Sequence, residues 1–316
     1  FSTEWGKEKS DIIGVRKNYL EKSFYDNVKT DFDFQKYINN FKKYSEGKSN
    51  WNEVHNAKHL AYFESWDQGK YITKKTSHVV MHASGGLYLT NIEKFFEIYN
   101  DSRFIIPIRD ILGYVASEKI RLARIFFGSR RYNKPKLPLV FIKNFNYYDL
   151  KAKIRNWTTA VTRARLLQEK FGINKNLIVY SNEKLIRETD KVMSSFANNL
   201  NIDFNKNLCN PTIGKLAWGG NSHYGKSKGI NENTLENYKK VLKKEEINLI
   251  LKETQNLRSA ILDQDETLLN LTKVNEKYFS DYYYQQKYFK DQEKLSLYYS
   301  LVNSAGRKIN VKKPGW

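Results

Sequence analysis

Apolar and polar positions along this chain repeat with two different periods, and the middle third shows both. HVVMHA, from His78, is an apolar run of strand length. NIEKFFEIYN, from Asn91, sets Ile92, Phe95, Phe96 and Tyr99 three or four apart, the spacing of one helix face. RFIIPI, from Arg103, is again apolar and β-branched, and it stops at the charged pair Arg109-Asp110. GYVASEKIRLARIFF, from Gly113, reads as a helix. A longer one spans Tyr148 to Phe171, with Ile154, Trp157, Val161, Ala164 and Leu167 at helical spacing and Gly172 as its C-terminal stop. NLIVY, ending at Tyr180, predicts another buried strand, followed by a helix from about Glu183 to Leu200.

Strand and helix thus alternate, which predicts an α/β fold with a mainly parallel central sheet flanked by helices. Ligands in such folds sit beyond the carboxyl ends of the strands, and Arg109 and Tyr180 stand at two such ends. Outside this region the pattern is weaker. Residues 1–70 are polar and aromatic, with faint helical periodicity in DFDFQKYINNFKKY. WGGNSHYGKSKG, from Trp218, is a glycine-rich basic loop. Helices are predicted from about Asn233 to Leu262, and a basic, aromatic tail follows. No repeat or linker divides the chain, so the expectation is one domain over 1–316, with residues 256–316 as a C-terminal helical extension.

Composition narrows this picture. With 316 residues, 40% hydrophobic and 15% aromatic, the chain is long and apolar enough for a real core and is not of the disordered class. No apolar run approaches the ~18 residues of a membrane-spanning helix. The single cysteine, Cys209, excludes an internal disulfide and a cysteine-based zinc site, and a reducing, cytoplasmic setting is expected. His55 and His59 are one helical turn apart, yet VHNAKH lacks the glutamate of His-Glu-x-x-His and offers no third ligand. The net charge of +20 points to anionic partners. An AT-rich coding sequence, which favours lysine, is the plainer source of that charge. No zinc-finger spacing or RNP-type motif favours nucleic acid.

The chemistry gathers at the strand ending in Arg109. A side chain there emerges at the sheet edge, and Ser117 lies eight residues on, near the start of the next helix. Guanidinium, hydroxyl and a helix N-terminus together suit a phosphate. The plainer alternative is that Arg109 pairs with its neighbour Asp110.

The segment NDSRFIIPIRDILGYVASEKIR resembles the second cofactor-binding block of the sulfotransferase family, where a strand ends in Arg-Asp and a serine follows at this distance. NLIVYSNEKLIRETDKVMSSFANNLNID is similar to the family's strand, turn and helix. NPTIGKLAWGGNSHYGKSKGI looks like its closing loop. The resemblance covers about residues 70–255 and implies the P-loop-NTPase-like sulfotransferase fold. It also implies the donor 3′-phosphoadenosine-5′-phosphosulfate and transfer of a sulfuryl group to a hydroxyl or amine on a small-molecule or glycan acceptor. Arg109 and Ser117 would hold the 3′-phosphate and Tyr180 would lie near the adenine. Asn221, Ser222, Lys226, Lys228 and Gly229 would belong to the closing loop. His78 is the candidate base, with His82 and Glu4 as alternatives, and Lys75 would help neutralise the bridging oxygen.

Three features depart from the family pattern. Nothing in residues 1–70 fits its first loop, the one that cradles the 5′-phosphosulfate. With the start at Phe1, this leads to the expectation of an N-terminally truncated, and so inactive, fragment. Ile111 stands where a proline is common, and Ser181-Asn182-Glu183 displaces the carboxylate that follows the tyrosine. Two other readings stay open: a non-catalytic basic module for a polyanion such as nucleic acid or sulfated glycan, and a P-loop kinase relative.

Overall fold

The computed structural model describes residues 33–65, 96–97, 102–127, 137–172, 176–213, 216–217 and 229–279. They fall into two compact units, the first holding 33–65 and 96–97 and the second the remainder.

The first unit contains a helical hairpin, α1 (Phe34–Ser45) and α2 (Trp51–Glu64). Asp33 caps α1 by accepting from the Lys36 N–H, and Gly47 takes φ 71° in the turn between the helices. Ala57 and Ala61 are buried, which lets the helices approach, and Tyr37 meets Tyr62 edge to face. Glu64 closes the open end, accepting from Tyr44 Oη at 2.6 Å and from Asn40 Nδ2 at 3.0 Å. The faint periodicity of 1–70 is therefore a real helix over Phe34–Ser45.

The second unit is built on two parallel strands, β1 (Phe104–Ile108) and β2 (Leu177–Ser181), with Phe104 opposite Leu177 and Ile108 opposite Ser181. Both are legible in the sequence as apolar runs. Helices α3 (Ile111–Phe126), α4 (Leu139–Asn144) and α5 (Leu150–Phe171) connect β1 to β2. This parallel pair with its helical crossover is the α/β arrangement that the alternation predicts. Asp149 caps α5 at its start and Gly172, at φ 81°, ends it. The expected inward face of α5, from Ile154 to Leu167, is buried throughout.

After β2 come α6 (Asn182–Arg187) and α7 (Thr189–Leu200), where the sequence predicts one helix. The Glu188 backbone (φ −126°, ψ 46°) leaves helical space, and the Thr189 hydroxyl donates to the Leu185 carbonyl. A short antiparallel pair, β3 (Thr212–Ile213) and β4 (Leu216–Ala217), precedes a 3-10 helix over Glu232–Lys240 and then α8 (Lys244–Leu262). The predicted helical run from Asn233 is thus split. Asn231 side-chain and carbonyl groups bond to Asn233 and Thr234, holding the first half in tighter turns. Beyond Leu262 the described chain forms only two short 3-10 turns, Leu271–Lys273 and Glu276–Tyr278.

Two polar devices fix how these elements pack. The Leu269 N–H donates to the Val179 carbonyl, so the chain after α8 runs beside β2. Buried Gln168 of α5 then satisfies both the Leu269 carbonyl and the Leu271 N–H. On the other side, the fully buried Lys119 of α3 donates to the Lys143 carbonyl and to both Glu246 oxygens, all at 2.8 Å. Tyr148 Oη donates to the same carboxylate at 2.6 Å, and Glu246 also accepts from the Lys243 N–H in the first turn of α8. Burial pushes the Lys119 ammonium below its ordinary value and the Tyr148 phenol above its own.

Removing one partner of such a pair strands a buried charge. Lys119→Met is therefore expected to cost about 3–5 kcal/mol in urea unfolding. Lys239→Met, which breaks the exposed pair with Glu236, should leave the unfolding midpoint unchanged.

Candidate functional site

The backbone turns from β1 into α3 through Arg109 and Asp110, and these neighbours have opposite fates. Asp110 is held from every side. Its carboxylate accepts from Arg258 Nε and Nη2 of α8 at 2.7 and 2.8 Å, and also from the Leu112 N–H as the α3 cap. Its own N–H donates to Glu183 Oε1 at 3.0 Å. The Arg109 carbonyl accepts from Trp157 Nε1 at 2.8 Å. The neighbour pair Arg109–Asp110 considered from sequence is thus not the one that forms, because Arg258 occupies the carboxylate with two parallel bonds.

The Arg109 side chain is left exposed, with no hydrogen-bond or ion-pair partner among the described residues. It folds back over the first turn of α3. A Cβ added to Gly113 would stand 2.9 Å from Arg109 Nε and 3.5 Å from its Cζ. Glycine at this position is therefore what lets the guanidinium lie against the helix. Ser117 follows Gly113 by one turn, on the same face, and helical side chains lean towards the preceding turn. Ser117 is half-buried and likewise has no side-chain partner among the described residues. The structure thus brings Arg109 and Ser117 to one face, with Gly113 as an unforeseen third member.

Glu183 explains the displaced carboxylate of the sequence. Placed at the start of α6 and 8% exposed, it bridges the ends of the two strands, binding the Asp110 N–H and accepting from Ser181 Oγ at 3.2 Å. Burial raises its carboxyl above the ordinary value of 4.5. Ile108, Arg109, Asp110, Trp157, Glu183 and Arg258 line a crevice of about 180 Å³ with the end of α8. Ligand cavities commonly span about 300–1,000 Å³, so this is a seam between elements, and a nucleotide belongs on the outer side of Arg109.

The other expected residues divide. Tyr180 is half-buried, edge-on to Phe196 of α7 at 5.0 Å between centroids, and joins a cluster with Ile178 and Val192. Gly229 has φ 75°, a conformation that favours glycine. Glu4, Lys75, His78, His82, Asn221, Ser222, Lys226 and Lys228 lie outside the described residues. Among the described residues no group of three His, Cys, Asp or Glu side chains is placed to hold a metal, and no helix is long and apolar enough to cross a membrane. Burial raises the Cys209 thiol above its ordinary value, unlike an activated nucleophile. Sequence reading missed Arg258 and Trp157, which lie far along the chain from the residues they hold. Glu183 left a signal, the carboxylate two places late.

Glu183 gives a pH test. Its folded pKa lies above its unfolded one, so the wild type should lose stability as pH rises from about 4.5 through the folded value. Glu183→Gln keeps an acceptor for the Asp110 N–H and should gain on the wild type over that window, with no gain at lower pH. Glu183→Ala leaves the N–H unsatisfied and should cost about 1–3 kcal/mol. Urea melts across pH 3.5–8 would refute the assignment if all three proteins shared one slope.

No protein-family model matches the chain, and no curated protein matches it. Among solved structures, it is similar to a sulfotransferase domain from the curacin biosynthetic pathway, at 13% identity and a TM-score of 0.39, covering 73% of this chain and 82% of that one. Residues of this chain, rather than that likeness, carry the functional reading.

Proposed function

We propose that this protein is a sulfotransferase that uses 3′-phosphoadenosine-5′-phosphosulfate and passes the sulfuryl group to a hydroxyl or amine acceptor. The observation that carries the reading is the unpaired Arg109 guanidinium laid over Gly113, with the Ser117 hydroxyl one turn further on the same face. A 3′-phosphate is dianionic. It asks for a charged donor in a fixed plane and a neutral donor beside it, and an arginine already paired with Asp110 could supply neither charge nor open donors. These residues fit the phosphate end of the donor. The order of the three blocks along the chain ties that phosphate to this cofactor rather than to another.

When bound, the donor supplies the sulfuryl group. The chain's part is to hold and orient it and to take a proton from the acceptor. Arg109 and Ser117 hold the phosphate, fixed from below by the Trp157 bond to the Arg109 carbonyl. We assign the exposed edge of Tyr180 to the adenine side. Gly229 and the preceding Asn221, Ser222, Lys226 and Lys228 are assigned to the closing loop. His78 or Glu4 takes the acceptor proton, and Lys75 neutralises the leaving oxygen. These last assignments rest on their places in the sequence.

The net charge of +20 favours one competing reading, a non-catalytic polyanion binder. Titration calorimetry with adenosine 3′,5′-bisphosphate separates the two. Arg109→Ala should weaken binding about 10- to 100-fold, the value of a charged hydrogen bond, and Ser117→Ala about 3- to 10-fold. Unchanged affinity in Arg109→Ala would remove the site. A polyanion binder would instead show steep salt dependence for an oligonucleotide or heparin, with no dependence on Arg109.

Gly113→Ala offers a cleaner variant. The added Cβ displaces the guanidinium, while alanine is the better helix former by about 1 kcal/mol. The bisphosphate should bind more weakly to a protein that melts no lower than wild type. Equal loss of both would mean that Gly113 serves packing.

A further inference from the structure

The C-terminal end of α3 and the outer side of α4 keep large apolar side chains in water. Phe126 and Phe127 are 58% and 49% exposed, Val140 and Phe141 61% and 60%, and Tyr147 76%. Ile125, at 39%, continues the patch along α3. The rings form one cluster. Phe126 stacks on Tyr147 with centroids 5.1 Å apart and planes 5° from parallel, and Phe127 meets Phe126 edge to face at 5.1 Å. Buried Phe145 anchors the cluster, within 5.4 Å of Phe126 and 6.1 Å of Phe127. Contiguous exposed apolar surface of this kind marks an interaction site.

The charge along the same stretch indicates the partner. From Lys119 to Tyr148 the chain carries eight Lys and Arg residues and no Asp or Glu. Lys119 is buried and Arg121 is paired with Glu118, but Lys143 of α4 is exposed beside Phe141 in sequence. The connection from α3 to α4 reads GSRRYNKPK, with four basic residues in nine. Apolar side chains that enter a lipid interface and cations that meet anionic headgroups are the two parts of a peripheral membrane contact. Single-stranded nucleic acid would use the charge and the rings. It has no use for the aliphatic Ile125 and Val140, which offer no face on which a base can stack.

We propose that this surface docks on an anionic lipid bilayer, with Phe126, Phe127 and Phe141 entering the interfacial layer. The inference needs neither the phosphate site nor the transferase reading.

Co-sedimentation of the full chain with vesicles tests it. Vesicles of phosphatidylcholine with about a third phosphatidylserine should pellet the protein, and pure phosphatidylcholine should pellet far less. Phe127→Ser with Phe141→Ser should reduce the partition at least about tenfold. Raising salt from about 0.1 to 0.5 M should lower wild-type partition several-fold. If the double variant folds poorly by circular dichroism, Phe141→Trp replaces it. The fluorescence of the introduced indole should shift to the blue on the same vesicles and be quenched by brominated lipid. Absence of wild-type binding to anionic vesicles, equal binding of the double variant, or an unshifted, unquenched signal from the introduced indole would each overturn the proposal. So would loss of single-stranded oligonucleotide binding in the double variant with vesicle binding intact, which would assign the surface to nucleic acid.

Discussion

Asp110 decides the character of the region beyond the strand ends. A carboxylate next to an arginine in sequence would ordinarily be its partner, and the two would neutralise each other. Here the two parallel bonds from Arg258 take the carboxylate, the α3 cap uses it again, and Glu183 holds the backbone N–H. With Asp110 committed, Arg109 has no internal partner among the described residues and lies over Gly113. The positive charge of the candidate site is thus a consequence of an ion pair made beside it. That same pair ties α8, which arrives late in the chain, to the end of β1.

The rest of the second unit supports this junction with buried polar groups, each satisfied. Lys119, Glu246 and Tyr148 join α3, the start of α5 and the start of α8 in one knot. Gln168 and the Leu269 bond to Val179 fasten the final described segment beside β2. Lys184 donates to the carbonyls of Gln264, Asp265 and Glu266, just past the end of α8, where a cation also suits the helix dipole. Such groups are costly to bury and add little net stability, but they permit few alternative arrangements. Arg109, Gly113 and Ser117 therefore stand on a base that fixes their spacing.

Charge is spread unevenly around this frame. The acidic residues Asp110, Glu118, Glu183 and Glu246 are engaged in internal bonds. The stretch from Lys119 to Tyr148 has none of its own. Positive charge consequently dominates where exposed rings also gather, at the end of α3 and on α4. A surface of that kind and a phosphate-sized site on α3 can serve separate partners, because they occupy opposite ends of the same helix: Gly113 and Ser117 lie in its first half, Phe126 at its close.

Local sequence determined the elements. Apolar runs of strand length gave β1 and β2, helical spacing from Ile154 to Leu167 gave the buried face of α5, and Gly172 its end. These signals depend on neighbours within a turn or two, which the chain carries with it. The spacing from Arg109 to Ser117 was legible for the same reason, since a strand end and one helix fix both. What the tertiary structure alone decided was partnership. Nothing near Asp110 in the chain names Arg258, nothing near Arg109 names Trp157, and the late carboxylate at Glu183 acquires its purpose only when β1 lies beside β2. Hydrogen bonds and ion pairs across more than a hundred residues leave no period in a sequence, because each needs only one side chain of the right kind at each end, and folding selects which of many such pairs meet.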